Sequence, residues 1–226
     1  ADTAAARTWS LRGGAHERLR EPDRALDCWS RAREICLRAG NLEGERRALA
    51  AEARVPNALG VRAFGAGDLE AALREYRAAL ELFRTLDDAH GVGLALNSLA
   101  VTLIRQRRHD EAEALLVEAL AVHRAARNAT FEAHAETALG VVAEARGDGA
   151  GARAHYETSL AVREAGGDRG GAGWTLVRLA RLAARNGQPE RAAPLLERAH
   201  RIAGDCGDTE LLAACSTEIP GTAPRT

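Results

Sequence analysis

A small-then-large side-chain pattern recurring every 40 residues constrains this chain more than any other feature. In Ala58–Arg84, small residues stand at Gly60, Ala72 and Ala79. Tyr76 follows Ala72 by four positions, and Gly67-Asp68 separates two apolar-periodic halves. At 40-residue steps, Leu59-Gly60 becomes Leu99-Ala100, Leu139-Gly140 and Leu179-Ala180. Ala72 and Tyr76 become Ala112 and Leu116, Ala152 and Tyr156, then Ala192 and Leu196, while Ala79 becomes Ala119, Ser159 and Ala199. Upstream, the second half recurs at Ala25, Trp29 and Ala32 after a step of 47. Antiparallel helices approach closely only where small side chains cross, and a large one must then fill the space beside the crossing.

This pattern resembles the tetratricopeptide repeat (TPR), a helix-turn-helix unit with Leu-Gly in its first helix and A-x3-F in its second. Trp9 and Gly13 keep the W-x2-L-G spacing, with Arg12 in place of the leucine. The usual period is about 34, so the extra residues are expected to lengthen the helices and the linker between repeats. Two family positions differ. The closing proline is replaced by Arg84, Arg124, Glu164 and Gly204, and the first-helix aromatic by Ala63, Leu103, Ala143 and Ala183. The resemblance implies an all-α, right-handed superhelical solenoid of about five repeats with a C-terminal capping helix. The expected repeats are 3–41, 42–87, 88–127, 128–168 and 169–207, with a cap at 208–218. Together they form one domain over 1–218, followed by a disordered tail at 219–226. Pro56, inside the helical run Leu42–Ala66, predicts a kink or break near Val55-Pro56. Gly166–Gly173 reads as a flexible linker.

The runs DDAHGVGLALNSLA and GGDRGGAGWTLVRLA resemble inter-repeat segments in the C-terminal TPR regions of bacterial signalling ATPases and transcriptional regulators. That implies a helical sensor coupled to effector and nucleotide-binding domains. Neither domain is encoded in these 226 residues. The absence of methionine points to a processed chain or a fragment of a larger protein. All 31 basic residues are arginine, which points to a GC-rich, actinobacterial genome.

Composition bounds the chemistry. Without lysine there is no Walker A loop and no Schiff-base amine. A net charge of -1 gives no support for a polyanion or an anionic membrane as partner. Cys28, Cys36, Cys206 and Cys215 form no CxxC pair and read as buried or half-buried thiols in a reducing cytoplasm. The seven histidines show no zinc spacing, and His134-Ala135-Glu136 lacks the PCxxC of zinc deaminases. The Gly166–Gly173 run lacks the preceding strand of a phosphate cradle. In Arg105–His109, the densest basic cluster, the acids that follow balance the charge, so nucleic acid is not an expected partner. No cofactor, no metal and no enzymatic activity is expected.

The stronger candidate is the concave face that first helices line in a TPR stack. One stripe gives Asn57, Asn97, Thr137 and Val177, and one turn earlier lie Arg54, Leu94, His134 and Trp174. Later turns add Phe64, Ile104, Arg105, Glu144, Arg181 and Arg185. Amides pair with an extended backbone, arginines clamp carboxylates, and Trp174 offers an apolar face. The expectation is a non-enzymatic cytoplasmic interaction module of bacterial signalling that binds a protein or peptide segment. Upstream domains of the same polypeptide are an alternative occupant. A ligand-sensing domain and a homo-oligomeric scaffold stand as alternative functions.

Overall fold

The computed structural model describes residues 2–19 and 21–217; the tail expected beyond Ile219 lies outside them. Eleven helices make up the described chain. They are α1 (Asp2–Arg18), α2 (Pro22–Arg38), α3 (Leu42–Gly65), α4 (Leu69–Thr85), α5 (Ala89–Arg105) and α6 (His109–Ala125). Then come α7 (Ala129–Ala145), α8 (Gly149–Ala165), α9 (Arg169–Arg185), α10 (Pro189–Cys206) and α11 (Thr209–Thr217). Two compact units divide within α6, one ending at Val122 and one starting at His123.

The joints explain the period. Left-handed backbone occurs at Gly67, Asp87, Arg107, Arg127, Gly147, Gly167, Gly187 and Gly207, a step of 20. At six of these joints the side chain of the next residue caps the following helix. Asp68, Asp88, Asn128, Asp148, Asp168 and Asp208 each accept the backbone N–H three residues on. Each such cap contributes about 1 kcal/mol. The period of 40 is thus two helices of 17 residues with three-residue joints, as in α5 and α6. The surplus over the common repeat length lies in the helices. The linker between repeats is not lengthened, because the left-handed residue and cap turn the chain within three residues.

Two further expectations are corrected. Gly166–Gly173 is not a flexible linker: Gly167 takes φ 73°, Asp168 caps Gly171 N–H, and α9 starts at Arg169. Nor does the chain break at Pro56, because α3 is one 24-residue helix with Pro56 buried inside it. Proline removes the hydrogen bond to the Glu52 carbonyl, but the Asn41 cap and packing on α2 and α4 hold both halves. Against the 17 residues of α4, α3 has seven more, which is also the excess of the 47-residue step over 40. Seven residues are about two turns, so the helix keeps its buried face.

In the first unit α1 to α5 pack in succession, each on the next. In the second, α7 to α10 do the same, and α11 closes against α9 and α10. Gly173 leaves the space for the Leu211 side chain of α11. Side-chain size is matched at each crossing. A Cβ on Gly60 would lie 2.6 Å from the Tyr76 ring, and one on Gly140 would lie 2.4 Å from Tyr156. Gly13 meets Trp29 in the same way. Where the partner is leucine, as in Ala180 with Leu196, the small residue keeps its methyl group. All four cysteines are free, and three are buried, but Cys206 is exposed at the end of α10.

Candidate functional site

Seven of the expected partner-facing residues lie in the first unit, among them Leu94, which is half-buried. Arg54 is exposed, 3.5 Å from Glu17 Oε2, on the lip of a depression of about 300 Å³ floored by Ala25, Val55 and Leu59. Asn57 is half-buried, and its Oδ1 receives no hydrogen bond. Phe64 and Arg105 form one patch across α3 and α5. The guanidinium lies 4.6 Å from the ring centroid and donates at 3.2 Å to the Phe64 carbonyl. Such a cation–π pair contributes about 0.5–1 kcal/mol at an exposed site. Ile104 is half-buried, and Asn97 is only 8% exposed.

Seven more lie in the second unit. His134 is exposed on α7, and Trp174 on α9 is 38% exposed. The His134 ring meets Phe131 edge-on at 5.8 Å, and Phe131 stacks on buried His123 at 5.4 Å. Although part of the residue reaches solvent, desolvation of the packed side of its ring lowers the His134 pKa, and the nearby Arg163 guanidinium lowers it further against the opposing pull of Asp168. Arg181 and Arg185 are exposed on α9. Arg185 pairs with Glu144, which also accepts the Tyr156 hydroxyl at 2.7 Å. Thr137 turns toward α8, 2.8 Å from the Ser159 hydroxyl, and Val177 is 1% exposed. The stripe of Arg54, His134 and Trp174 therefore reaches solvent, whereas Asn97, Thr137 and Val177 point into helix packing.

A polar seam around α7 and α8 was missed. Glu136 is 3% exposed where the sibling positions carry Leu96 and Leu176. Its carboxylate takes Arg124 Nη2 at 2.8 Å and His155 Nδ1 at 2.8 Å. Arg163, 8% exposed, replaces Phe83 of an earlier repeat; it pairs with Asp168 and donates to Ser159 Oγ at 3.3 Å. The bare Cα of Gly171 leaves room for that guanidinium. Ser159, in place of Ala79 and Ala119, donates to the Ala133 carbonyl at 2.8 Å. Burial raises the Asp168 pKa, but the Gly171 N–H and Arg163 outweigh it, and the net value lies below 3.8. A buried charge persists only where partners compensate its desolvation, as here. The signal was available in the sequence as Glu136 breaking the leucine register.

Among the described residues, no cluster of His, Cys, Asp or Glu has a metal-binding arrangement. No described helix is long and apolar enough to cross a membrane.

A tetratricopeptide repeat family model matches residues 52–125 and 131–205. No curated protein matches the sequence. Three solved structures show the shared fold. Aspartyl phosphate phosphatase F from Bacillus subtilis has a TM-score of 0.72 at 11% identity, over 93% of this chain and 53% of that one. A plasmid Rap conjugation gene regulator in complex with a Phr peptide has a TM-score of 0.66 at 17% identity, over 92% and 56%. A signal transduction ATPase with numerous domains and a TPR sensor, from Pyrococcus horikoshii, has a TM-score of 0.68 at 14% identity, over 95% and 32%. The chain thus spans less than two thirds of each of these three proteins.

Proposed function

This chain belongs to the tetratricopeptide repeat family, and from that premise we propose that it is a non-enzymatic module that binds a protein or peptide segment. The observation that carries this reading is the exposure of His134 and Trp174 at matching positions of successive first helices, one on α7 and one on α9. Tryptophan and arginine are among the residue types enriched in binding hot spots. Arg181 and Arg185 supply cations on the same helix as Trp174. The regulator bound to a Phr peptide, which shares the fold, supports a peptide as the class of partner.

A second reading is a sensor region within a larger bacterial, cytoplasmic signalling or transcriptional regulator. It is favoured by the likeness to an ATPase that carries a TPR sensor, of which this chain spans 32%. In that arrangement, upstream domains of the same polypeptide respond to occupancy of the first-helix surface.

The test is capture of partners from native lysate, followed by titration of the tightest one. His134→Ala with Trp174→Ala is expected to weaken binding by about 2 kcal/mol while leaving the thermal melt nearly unchanged. Equal binding by wild type and double variant would remove this surface as the site.

A further inference from the structure

We propose that a cleft between α8, α9 and α10 binds a small apolar carboxylate, at a site whose lining includes neither His134 nor Trp174. The cleft has a volume of about 700 Å³, within the range of about 300–1,000 Å³ typical of small-molecule sites. Its floor is apolar, built from Leu160, Leu179, Leu182 and Leu195. Its rim carries Arg153 from α8 and Arg191 from α10.

The repeat pattern does not require this cleft. Helix α8 opens with Gly149-Ala150, where the equivalent second helices open with Leu69-Glu70 and His109-Asp110. This opening carries no side chain larger than a methyl group. It removes the side chains that would stand over the mouth of the cleft. Ala183 likewise leaves the floor open.

Charge selects the ligand. Arg153 lies 4.0 Å from Glu157, the limit of an ion pair, and Arg191 donates at 3.3 Å to the neutral amide of Gln188. The lining therefore holds two arginines against one carboxylate, Glu157. An anionic head on a hydrocarbon body satisfies both the rim and the floor. The joint bearing Asn186 and Gln188 adds neutral amides to the lining.

The experiment titrates the full 226-residue chain with decanoate and follows the backbone amide resonances. Saturable shifts are expected at Ala150, Ala183 and their neighbours. Arg153→Ala with Arg191→Ala should weaken binding at least about tenfold, because hydrogen bonds to charged groups are the stronger kind. Decanol, which keeps the hydrocarbon and lacks the charge, should bind more weakly by a similar factor. Ala183→Phe should fill the floor and abolish the shifts; Gly149→Leu, at the mouth, repeats that test should the first variant melt early. Absence of saturable shifts, equal binding of decanol and decanoate, or unchanged binding by the arginine variant would each overturn the proposal.

Discussion

Helices α4 and α8 occupy the same register 80 residues apart, in different units, and are filled differently. Both bury an alanine and a tyrosine, Ala72 with Tyr76 and Ala152 with Tyr156. Then they diverge: α4 continues with Ala79 and Phe83, whereas α8 carries Ser159 and Arg163. The backbone accepts either filling, provided that each buried polar group is matched. Ser159 finds a carbonyl, and Arg163 finds Asp168. The repeat thus fixes where volume is needed, while the chemistry of that volume is free to vary.

The largest expected effect tests what the two helices share. Gly60→Trp or Gly140→Trp places a side chain where even a Cβ collides with Tyr76 or Tyr156. Overpacking costs about 1–3 kcal/mol, and these variants should exceed that, with loss of the cooperative melt. An unchanged melt in either variant would break the size-matching account.

The next comparison separates the fillings. Phe83→Ala should destabilise by about 3–5 kcal/mol. Arg163→Ala should cost about 1–3 kcal/mol, because Asp168, left without its cation, is only half-buried and rehydrates. Denaturant titration of both variants measures the gap. A larger loss for Arg163 than for Phe83 would mean that the polar seam carries more of the fold than its exposure allows.

A smaller effect comes from pH. The His134 pKa is lowered from 6.5 on folding. As pH falls through the unfolded value, the unfolded chain takes up its proton first, so stability declines until the folded value is passed. Asp168 acts lower on the scale. Its folded value lies below 3.8, so its contribution is present above that pH and is lost as pH falls through the folded value. Melting temperature against pH should therefore be flatter below neutrality in His134→Gln than in wild type. Parallel curves would remove His134 as a contributor.

The joints give the smallest effect. Arg107 and Asp87 hold left-handed backbone at φ 61° and 55°. Glycine adopts that conformation without a Cβ clash, so Arg107→Gly should stabilise by about 1 kcal/mol. Gly147→Ala should do the reverse, as equilibrium unfolding of both will show.

The helix pairs were legible because small residues at crossings leave a 40-residue trace in the sequence. The joints were harder to read. Asp87, Arg107 and Arg127 hide a 20-residue step that Gly67 and Gly147 display openly. At Pro56, tertiary packing keeps α3 continuous where proline alone favours a break. The site was only partly legible. A position is exposed or buried by helical phase, and a one-residue shift is 100° of rotation. His134 and Trp174 fall on the outer side of that divide, whereas Glu136 and Val177 fall on the inner. The seam at Glu136 follows from no motif and shows only as a departure from its sibling positions.

The central claim is that a partner segment covers Trp174. Its most direct test is tryptophan emission during titration with the captured partner, comparing wild type with Trp174→Phe. The account predicts a saturable blue shift in wild type that is absent from the variant, because a partly exposed indole moves out of water on binding. Saturable binding with identical emission changes in the two proteins would place the partner elsewhere and contradict the account.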